Sequence, residues 1–122
     1  MNYRIVDKTF QFSLKVIDLY VLLLKEGEYD LADKILKSSV VIRENLEESF
    51  ASITMHDNVV KLSEALHHAT QVRFWLKLIQ MKNVKHTCCD QSVEGINEII
   101  NILNYLSLEN NSYKINLQYQ LN

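Results

Sequence analysis

The chain has 122 residues, of which 48% are hydrophobic and 23% charged, the balance of one globular domain rather than of a disordered chain. It has no proline and only two glycines, Gly27 and Gly95, so it lacks the turn residues of a β-sandwich or barrel and any glycine-rich phosphate loop. Thirteen Lys and Arg against fifteen Asp and Glu give a net charge of −2, whereas dedicated nucleic-acid binders normally carry a basic excess. Composition therefore favours long helices.

The N-terminus has no basic segment followed by an uninterrupted apolar stretch, so we expect no signal peptide. The longest apolar run, from Leu19 to Leu24, has six residues, far fewer than the ~20 that span a bilayer. The only cysteines, Cys88 and Cys89, are adjacent, and a disulfide between neighbours is strained. We therefore expect reduced thiols in a cytoplasmic protein without membrane contact.

The first predicted helix spans Val6 to Glu26 and ends at Gly27, a residue typical of helix C-caps. Two apolar stripes recur along it at helical spacing. One stripe consists of Phe10, Leu14, Ile17, Val21 and Leu24, and the other of Phe12, Val16, Leu19 and Leu23. Either this helix is the covered centre of one bundle, or the second stripe contacts another subunit. Our working hypothesis is that Phe12, Val16, Leu19 and Leu23 form an oligomer interface.

Three further helices are predicted. The second spans Glu28 to Ser52, with an inward stripe of Leu31, Ile35, Ile42, Leu46 and Ile53. The third follows a polar break at residues 54–58, is capped by Asp57 or Asn58, and ends near Met81. The fourth spans Gln91 to Leu108. Because short connections make neighbouring helices antiparallel, residues 1–110 are predicted to form an all-α, antiparallel up-down-up-down four-helix bundle.

The last residues follow a different pattern. From Tyr113 to Asn122, apolar and polar residues alternate strictly, which is the period of a strand with one apolar face. No other segment offers an obvious partner strand. Residues 111–122 are therefore predicted to form an extended tail, which lies along a groove, pairs with another chain or is disordered.

Polar clusters that could carry chemistry have unsuitable spacing. His86, Cys88, Cys89 and Asp90 are zinc-ligand types, but zinc sites use two separated pairs of ligands, and adjacent residues do not easily reach one ion. A Cys–His nucleophile pair would lack an oxyanion hole and an orienting group. We predict no catalytic site, no metal and no cofactor.

Asn45 and Glu48 in helix 2 and Gln71 in helix 3 border the apolar stripes. A buried amide or carboxylate must be hydrogen-bonded, since leaving it unpaired costs several kcal/mol by rough estimate. We therefore expect these three residues to form a structural polar network between helices 2 and 3. A contact with a ligand or with nucleic acid is the alternative.

Helix 2 also carries a family resemblance. Its segment 37–49 resembles the signature of bacterial four-helix-bundle proteins encoded by intervening sequences in large-subunit (23S) ribosomal RNA genes, approximately Arg-Ala-x-x-Ser-Ile-x-x-Asn-Ile-Ala-Glu-Gly. Ile42, Asn45 and Glu48 match, and Leu46 is a conservative fit. The resemblance covers roughly residues 8–108. The chain departs from the family pattern at Val41, Ser49 and Gln71, where the family has Ser, Gly and usually Glu.

The resemblance implies a homo-oligomeric ring, commonly a pentamer, without enzymatic activity. It also implies kinship with the accessory protein of diversity-generating retroelements, which is strongly basic and works with nucleic acid. Five copies of this chain would instead carry a net charge of about −10, which repels phosphate. We therefore expect a scaffold for assembly or for a protein partner. The alternative is an RNA- or DNA-binding accessory factor whose weak contacts involve Lys61, Arg73 and Lys77.

Overall fold

A computed structural model of the chain contains four α-helices. They are α1 (Tyr3–Lys25), α2 (Tyr29–Phe50), α3 (Met55–Met81) and α4 (Thr87–Leu121). The structure describes the backbone of residues 3–82 and 87–121 and the side chains of residues 5–82 and 88–110, and those backbone ranges contain no β-strand. Each helix packs against the next one along the chain, and α1 closes the bundle against α4. The predicted all-α four-helix bundle is confirmed.

Polar contacts across two seams show that α3 is antiparallel to both α2 and α4. Between α2 and α3, Glu28 pairs with Lys82 at one end of the bundle (3.0 Å), and Glu48 pairs with Lys61 at the other. The corresponding contacts between α3 and α4 are Gln80–Asp90 and Asn58–Asn110. Between α1 and α4, the ammonium of Lys8 lies 2.7 Å from the carboxylate of Glu98. These pairs show which residues of α3 stand level with α2 and α4, and which residue of α1 stands level with Glu98 of α4.

The core consists of one apolar stripe from each helix. Its largest fully buried side chains are Ile5, Val16, Leu19 and Leu23 of α1, Ile35, Ile42 and Leu46 of α2, Leu76 and Ile79 of α3, and Ile96, Ile99 and Leu103 of α4. The buried hydroxyls of Ser39 and Ser49 donate to carbonyls of their own helix, those of Ile35 (2.7 Å) and Leu46 (2.8 Å). Because these polar groups are satisfied locally, the bundle is held together mainly by apolar burial.

The helix ends follow from local chemistry. Gly27 has φ +79°, and the amides of Gly27 and Glu28 donate to the carbonyls of Leu24 and Leu23 at 3.1 and 2.9 Å, which is a Schellman ending at the predicted C-cap.

At the start of α3 the prediction was wrong. The Oγ1 atom of Thr54 accepts from the amide of Asp57 at 3.1 Å, so Thr54 is the cap and α3 begins at Met55. Ile53, predicted to lie on the inward stripe of helix 2, lies in the connection and is 99% exposed.

Helix α4 is longer than predicted at both ends. It begins at Thr87 rather than Gln91, so Cys88 and Cys89 are helical, and it runs to Leu121 rather than Leu108. The predicted extended tail over residues 111–122 is therefore wrong up to residue 121. No glycine or proline follows Gly95, and adding residues to an existing helix avoids the cost of nucleation. A period of two forms a strand only where a partner strand pairs with it.

We predict that Gly27→Ala lowers the free energy of unfolding by about 1 kcal/mol, because an L side chain is strained at positive φ. Chemical denaturation followed by circular dichroism measures the change. Gln11→Ala, at an exposed position within α1, is the control and should leave the midpoint unchanged or raise it slightly. Equal midpoints for Gly27→Ala and the unmodified chain would contradict the prediction.

Candidate functional site

One apolar stripe of α1 is buried, whereas four of the five residues of the other are exposed and the fifth, Leu24, is half-buried against the core. Phe12, Val16, Leu19 and Leu23 are all buried, at 4% exposure or less. Our working hypothesis placed these four residues in an oligomer interface, and the structure contradicts it, since they fill the core of their own bundle. The covered-centre alternative is also incomplete, because the other stripe of α1 is not covered.

That other stripe forms an exposed apolar surface. Phe10, Leu14, Ile17 and Val21 are 59, 50, 53 and 47% exposed. At about 100° per residue, their mean direction lies about 160° around the helix from that of the buried stripe. We call these four residues the outer stripe. Single exposed apolar residues are ordinary, but a continuous row of them is typical of association surfaces.

A groove between α1 and α2 adjoins the outer stripe. It has a volume of ≈ 410 Å³. Its apolar lining consists of Val16 and Ile17 from α1 and Leu36 and Val40 from α2, and its polar lining of Ser13, Ser39, Arg43, Glu44 and Glu47. Val40 is exposed to the same degree as the outer stripe, so the apolar surface continues from α1 onto α2.

Polar groups beside the outer stripe are mostly satisfied within their own helices. The hydroxyls of Thr9 and Ser13 donate to the carbonyls of Val6 (2.8 Å) and Thr9 (2.9 Å). On the rim of the groove, Nε of Arg43 donates to Oε1 of Glu47 at 3.0 Å. Since these donors already have acceptors, a molecule that covers the outer stripe need not supply new partners for them.

With Phe12 directed into the bundle and the outer stripe directed away from it, α1 makes a close contact with α4. The ring of Phe12 lies against Gly95, where a Cβ atom would stand 3.2 Å from Cδ2 of Phe12. The missing side chain lets the ring enter the seam, and the outer stripe then faces away from the core. A glycine in the middle of helix 4, where it costs helix stability, was the sequence signal that could have identified the buried stripe.

The predicted buried network of Asn45, Glu48 and Gln71 is not formed. Nδ2 of Asn45 donates to the carbonyl of Val41 in its own helix (3.0 Å), and Gln71 is exposed. Glu48 does join α2 to α3, but through its ion pair with Lys61 at the surface. The prediction was wrong because a position beside an apolar stripe lies at the helix boundary, where long polar side chains reach water.

The three basic candidates do not form one surface. Lys61 is held by Glu48, which raises the pKa of the lysine through a hydrogen bond and through its charge. Arg73 is half-buried and Lys77 is exposed. Lys61 and Lys77 are 16 residues apart on one helix, a separation of about 24 Å along its axis. One of the three cations is therefore already neutralised, and the other two stand far from it.

The candidate metal ligands are not brought together. In the described part of the chain, no three His, Cys, Asp or Glu side chains lie close enough to hold an ion. His67 and His68 make an edge-to-face contact with their ring centroids 5.4 Å apart. His86 lies outside the described residues. The thiol of Cys89 is buried and approaches the carbonyl of Leu76 at 3.8 Å, a distance typical of a weak S–H donor in a core.

Four packed helices with a continuous apolar stripe on the outside of α1 define this chain as a small all-α helical-bundle protein. The chain belongs to the 23S rRNA-intervening sequence protein family, whose model matches residues 1–111. The recognition made from helix 2 is thus confirmed. No curated protein matches the chain. Among the described helices, none has the length and apolarity needed to cross a membrane.

A solved structure shares this fold. It is the crystal structure of a protein of unknown function from the S23 ribosomal protein family of Bacteroides thetaiotaomicron. The two chains are 25% identical and superpose with a TM-score of 0.76, over 84% of this chain and 97% of the other. The similarity supports the bundle architecture over nearly the whole length of that relative.

Burial should make Cys89 a pH-dependent contributor to stability. Desolvation raises the pKa of its thiol to about 11 from the ordinary 9.0, so the folded state holds this proton more tightly than the unfolded state does. This contribution is complete below pH 9 and is lost as the pH rises towards 11. We predict that the free energy of unfolding of the unmodified chain falls more steeply between pH 9 and 11 than that of Cys89→Ala. Each tenfold difference in proton affinity between the two states contributes about 1.4 kcal/mol to this fall.

Denaturation midpoints measured at several pH values for both chains would check this. The Cys89→Ala chain should be less stable at pH 7, because it leaves a small cavity, so the comparison concerns slopes rather than absolute values. Parallel slopes for the two chains would contradict the prediction.

Proposed function

We propose that this protein is a non-enzymatic subunit of a homo-oligomer whose copies associate through the outer stripe of α1, and that the assembly acts as a scaffold for a protein partner. The exposure of Phe10, Leu14, Ile17 and Val21 along one helix face is the observation that supports it. The outer stripe is apolar, and an apolar surface is better suited to association with another protein than to catalysis.

The energetics of this surface favour association. If a neighbouring copy covers about 300 Å² of apolar area, burial at ~25 cal/mol per Å² contributes roughly 7 kcal/mol before the entropy of association is subtracted. Because a micromolar dissociation constant corresponds to about 8 kcal/mol of net binding free energy, a micromolar assembly must bury more surface than these ~300 Å². The adjoining groove adds a concave surface into which side chains of a neighbour fit.

We further propose a closed ring, with five subunits as the family resemblance implies. A closed ring of more than two subunits requires head-to-tail contacts, in which each subunit offers two different surfaces. The outer stripe would be one of them. An assembly of this kind presents repeated copies of its remaining surface, so that a partner binding several subunits gains from multivalency.

Three substitutions test the proposed interface. Ile17→Glu places a charge on the outer stripe and should give a folded monomer, because the position is not needed by the core. Leu19→Glu, two residues away but fully buried, should unfold the chain. Phe74→Glu is the matched control, since Phe74 of α3 is as exposed as Phe10 but lies outside the stripe, and it should leave the assembly intact.

Sedimentation velocity and native mass spectrometry measure the particle size, and circular dichroism measures the helix content. A stable monomer of the unmodified chain at micromolar concentration would overturn the proposal. So would an Ile17→Glu chain that keeps the size of the unmodified particle.

The same charge distribution predicts weak nucleic-acid binding. The net charge of −2 is multiplied in an oligomer, and Lys61 is paired with Glu48. We expect no binding of duplex DNA or single-stranded RNA at micromolar protein in about 150 mM salt, measured by fluorescence anisotropy. Sub-micromolar binding with a steep dependence on salt would favour the accessory-factor alternative.

A further inference from the structure

The inward side of α3 follows a strict heptad. Its buried residues recur at alternating steps of three and four, and they are Leu62, Ala65, Ala69, Val72, Leu76 and Ile79. This is the spacing of positions a and d in a coiled coil, and here that seam packs on α2 and α4. With Leu62, Ala69 and Leu76 at position a, residues 60, 67, 74 and 81 are at position f, which faces directly away from the seam.

The f positions of α3 carry apolar residues. On a helix of a soluble bundle, the side opposite the core is normally charged or polar. In α3, however, Val60, Phe74 and Met81 occupy three f positions and are 42, 58 and 80% exposed, and the exposed residue His67 occupies the fourth. Leu78 is half-buried and lies on the same side of the helix, four residues after Phe74. We call Val60, His67, Phe74 and Met81 the α3 row.

The α3 row is separate from the outer stripe of α1. Helix α1 packs against α2 and α4, and α3 packs against the same two helices, without contact between α1 and α3 among the described residues. The two helices therefore stand at diagonal corners of the bundle. Because the outer stripe and the α3 row both face away from the core, they lie on opposite sides of the subunit. Covering one of them leaves the other exposed.

The C-terminal half of the α3 row lies among basic residues. The 18 residues from Ala65 to Lys82 include no Asp or Glu, although the whole chain is acidic. Lys82 is paired with Glu28, whereas Arg73 and Lys77 form no ion pair with a described residue. Lys77 is three residues after Phe74 and four before the next residue of the row, so it lies beside both. Two cations without counterions next to an apolar row favour an acidic partner.

The spacing of the α3 row fits a helix better than a nucleic acid. Seven residues correspond to about 10.5 Å along the axis, which is the repeat of a second helix packed alongside α3 at a small angle. Single-stranded nucleic acids are held by aromatic stacking and by many contacts with phosphates. Val60 and Met81 offer no ring for stacking, and the net charge of the chain is −2.

We propose that the α3 row binds an amphipathic helix of another protein, whose apolar residues pack at heptad spacing on Val60, Phe74 and Met81 and whose acidic residues lie beside Arg73 and Lys77. This inference rests on the proposed function, since it names the surface on which the scaffold holds its protein partner and the chemistry of that partner. Each subunit of the assembly offers one such site.

A designed helical peptide is the probe for this site. It has three heptads, which match the roughly 32 Å from Val60 to Met81, with Leu at positions a and d and Glu at the flanking positions. A second peptide has Lys in place of every Glu. The like charges on each peptide oppose its self-association. Fluorescence anisotropy of the labelled peptides measures their binding to the full chain in about 150 mM salt.

The Glu peptide should bind at least about tenfold more tightly than the Lys peptide, because only its charges complement Arg73 and Lys77. Equal affinities would overturn the inference. So would the absence of binding by the Glu peptide at about 100 µM protein, since a site of this kind would then be too weak to hold a partner.

Two substitutions separate the α3 row from the proposed oligomer interface. Ile17→Glu should give a monomer that binds the Glu peptide as tightly as the unmodified chain does. Phe74→Glu should keep the assembly but weaken binding of the Glu peptide by at least about tenfold, because a central apolar contact is lost. Tyr105→Glu is the matched control, since Tyr105 of α4 is as exposed as Phe74, at 58%, and gains the same charge. It should alter neither measurement.

The outcomes distinguish the two surfaces. If Ile17→Glu leaves the particle intact, the proposed interface is wrong, and a loss of peptide binding in Phe74→Glu alone still supports the α3 row. Equal peptide affinities of Phe74→Glu and Tyr105→Glu would overturn the inference and leave the interface standing. Dissociation of the Phe74→Glu particle would also overturn the inference, because the α3 row would then belong to the oligomer contact. Unchanged circular dichroism shows that each variant is folded.

Charge reversal at Lys77 tests the chemistry of recognition. Lys77→Glu should weaken binding of the Glu peptide and strengthen binding of the Lys peptide, because an attraction becomes a repulsion for one and the reverse holds for the other. Unchanged affinities for both peptides would overturn the acidic character of the partner. Displacement of the bound Glu peptide by a single-stranded RNA in about 150 mM salt would assign the surface to nucleic acid and overturn the inference.

Discussion

The surface of this protein depends on the rotation of α1 about its own axis. Phe12 lies so close to Gly95 that a Cβ atom there would stand 3.2 Å from its ring. With Phe12 in this seam, Val16, Leu19 and Leu23 follow it into the core, and the ion pair of Lys8 with Glu98 closes over the same seam. The outer stripe, from Phe10 to Val21, is exposed as a consequence of this orientation of α1.

Polar interactions have a secondary role in this fold. The buried serine hydroxyls bond within their own helices, and the ion pairs between helices, such as Glu48–Lys61 and Glu28–Lys82, lie at the surface, where such pairs contribute little. Helix order follows from apolar burial and from short connections with well-formed ends, as at Gly27 and Thr54. Few polar interactions therefore specify how the helices pack inside the bundle. The feature that distinguishes its surface is the exposed outer stripe.

Most of the fold was predictable because helical periodicity is a local property. Long stripes, few glycines and no proline predicted four helices, and the segment around Asn45 predicted the family. The predictions were wrong where the structure depends on contacts between distant parts of the chain. Asn45, Glu48 and Gln71 border apolar stripes, but their burial depends on how closely α2 and α3 approach. The alternation after Tyr113 has the period of a strand, yet no strand is present in the described chain to pair with it, and α4 continues.

By itself the sequence determined that α1 has two apolar stripes and that one more stripe exists than a single bundle can cover. It did not determine which one is buried, because the polar residues of α1, such as Lys8, Gln11 and Lys15, are centred roughly 90–110° around the helix from the centre of either stripe. A helical wheel is therefore nearly equally compatible with the burial of either stripe. Only the tertiary structure decided between them, since the space beside Gly95 accepts the ring of Phe12 and is formed by a residue more than eighty positions away. Periodicity is encoded within one helix, whereas the direction that a helix faces is set by the shape of its neighbours.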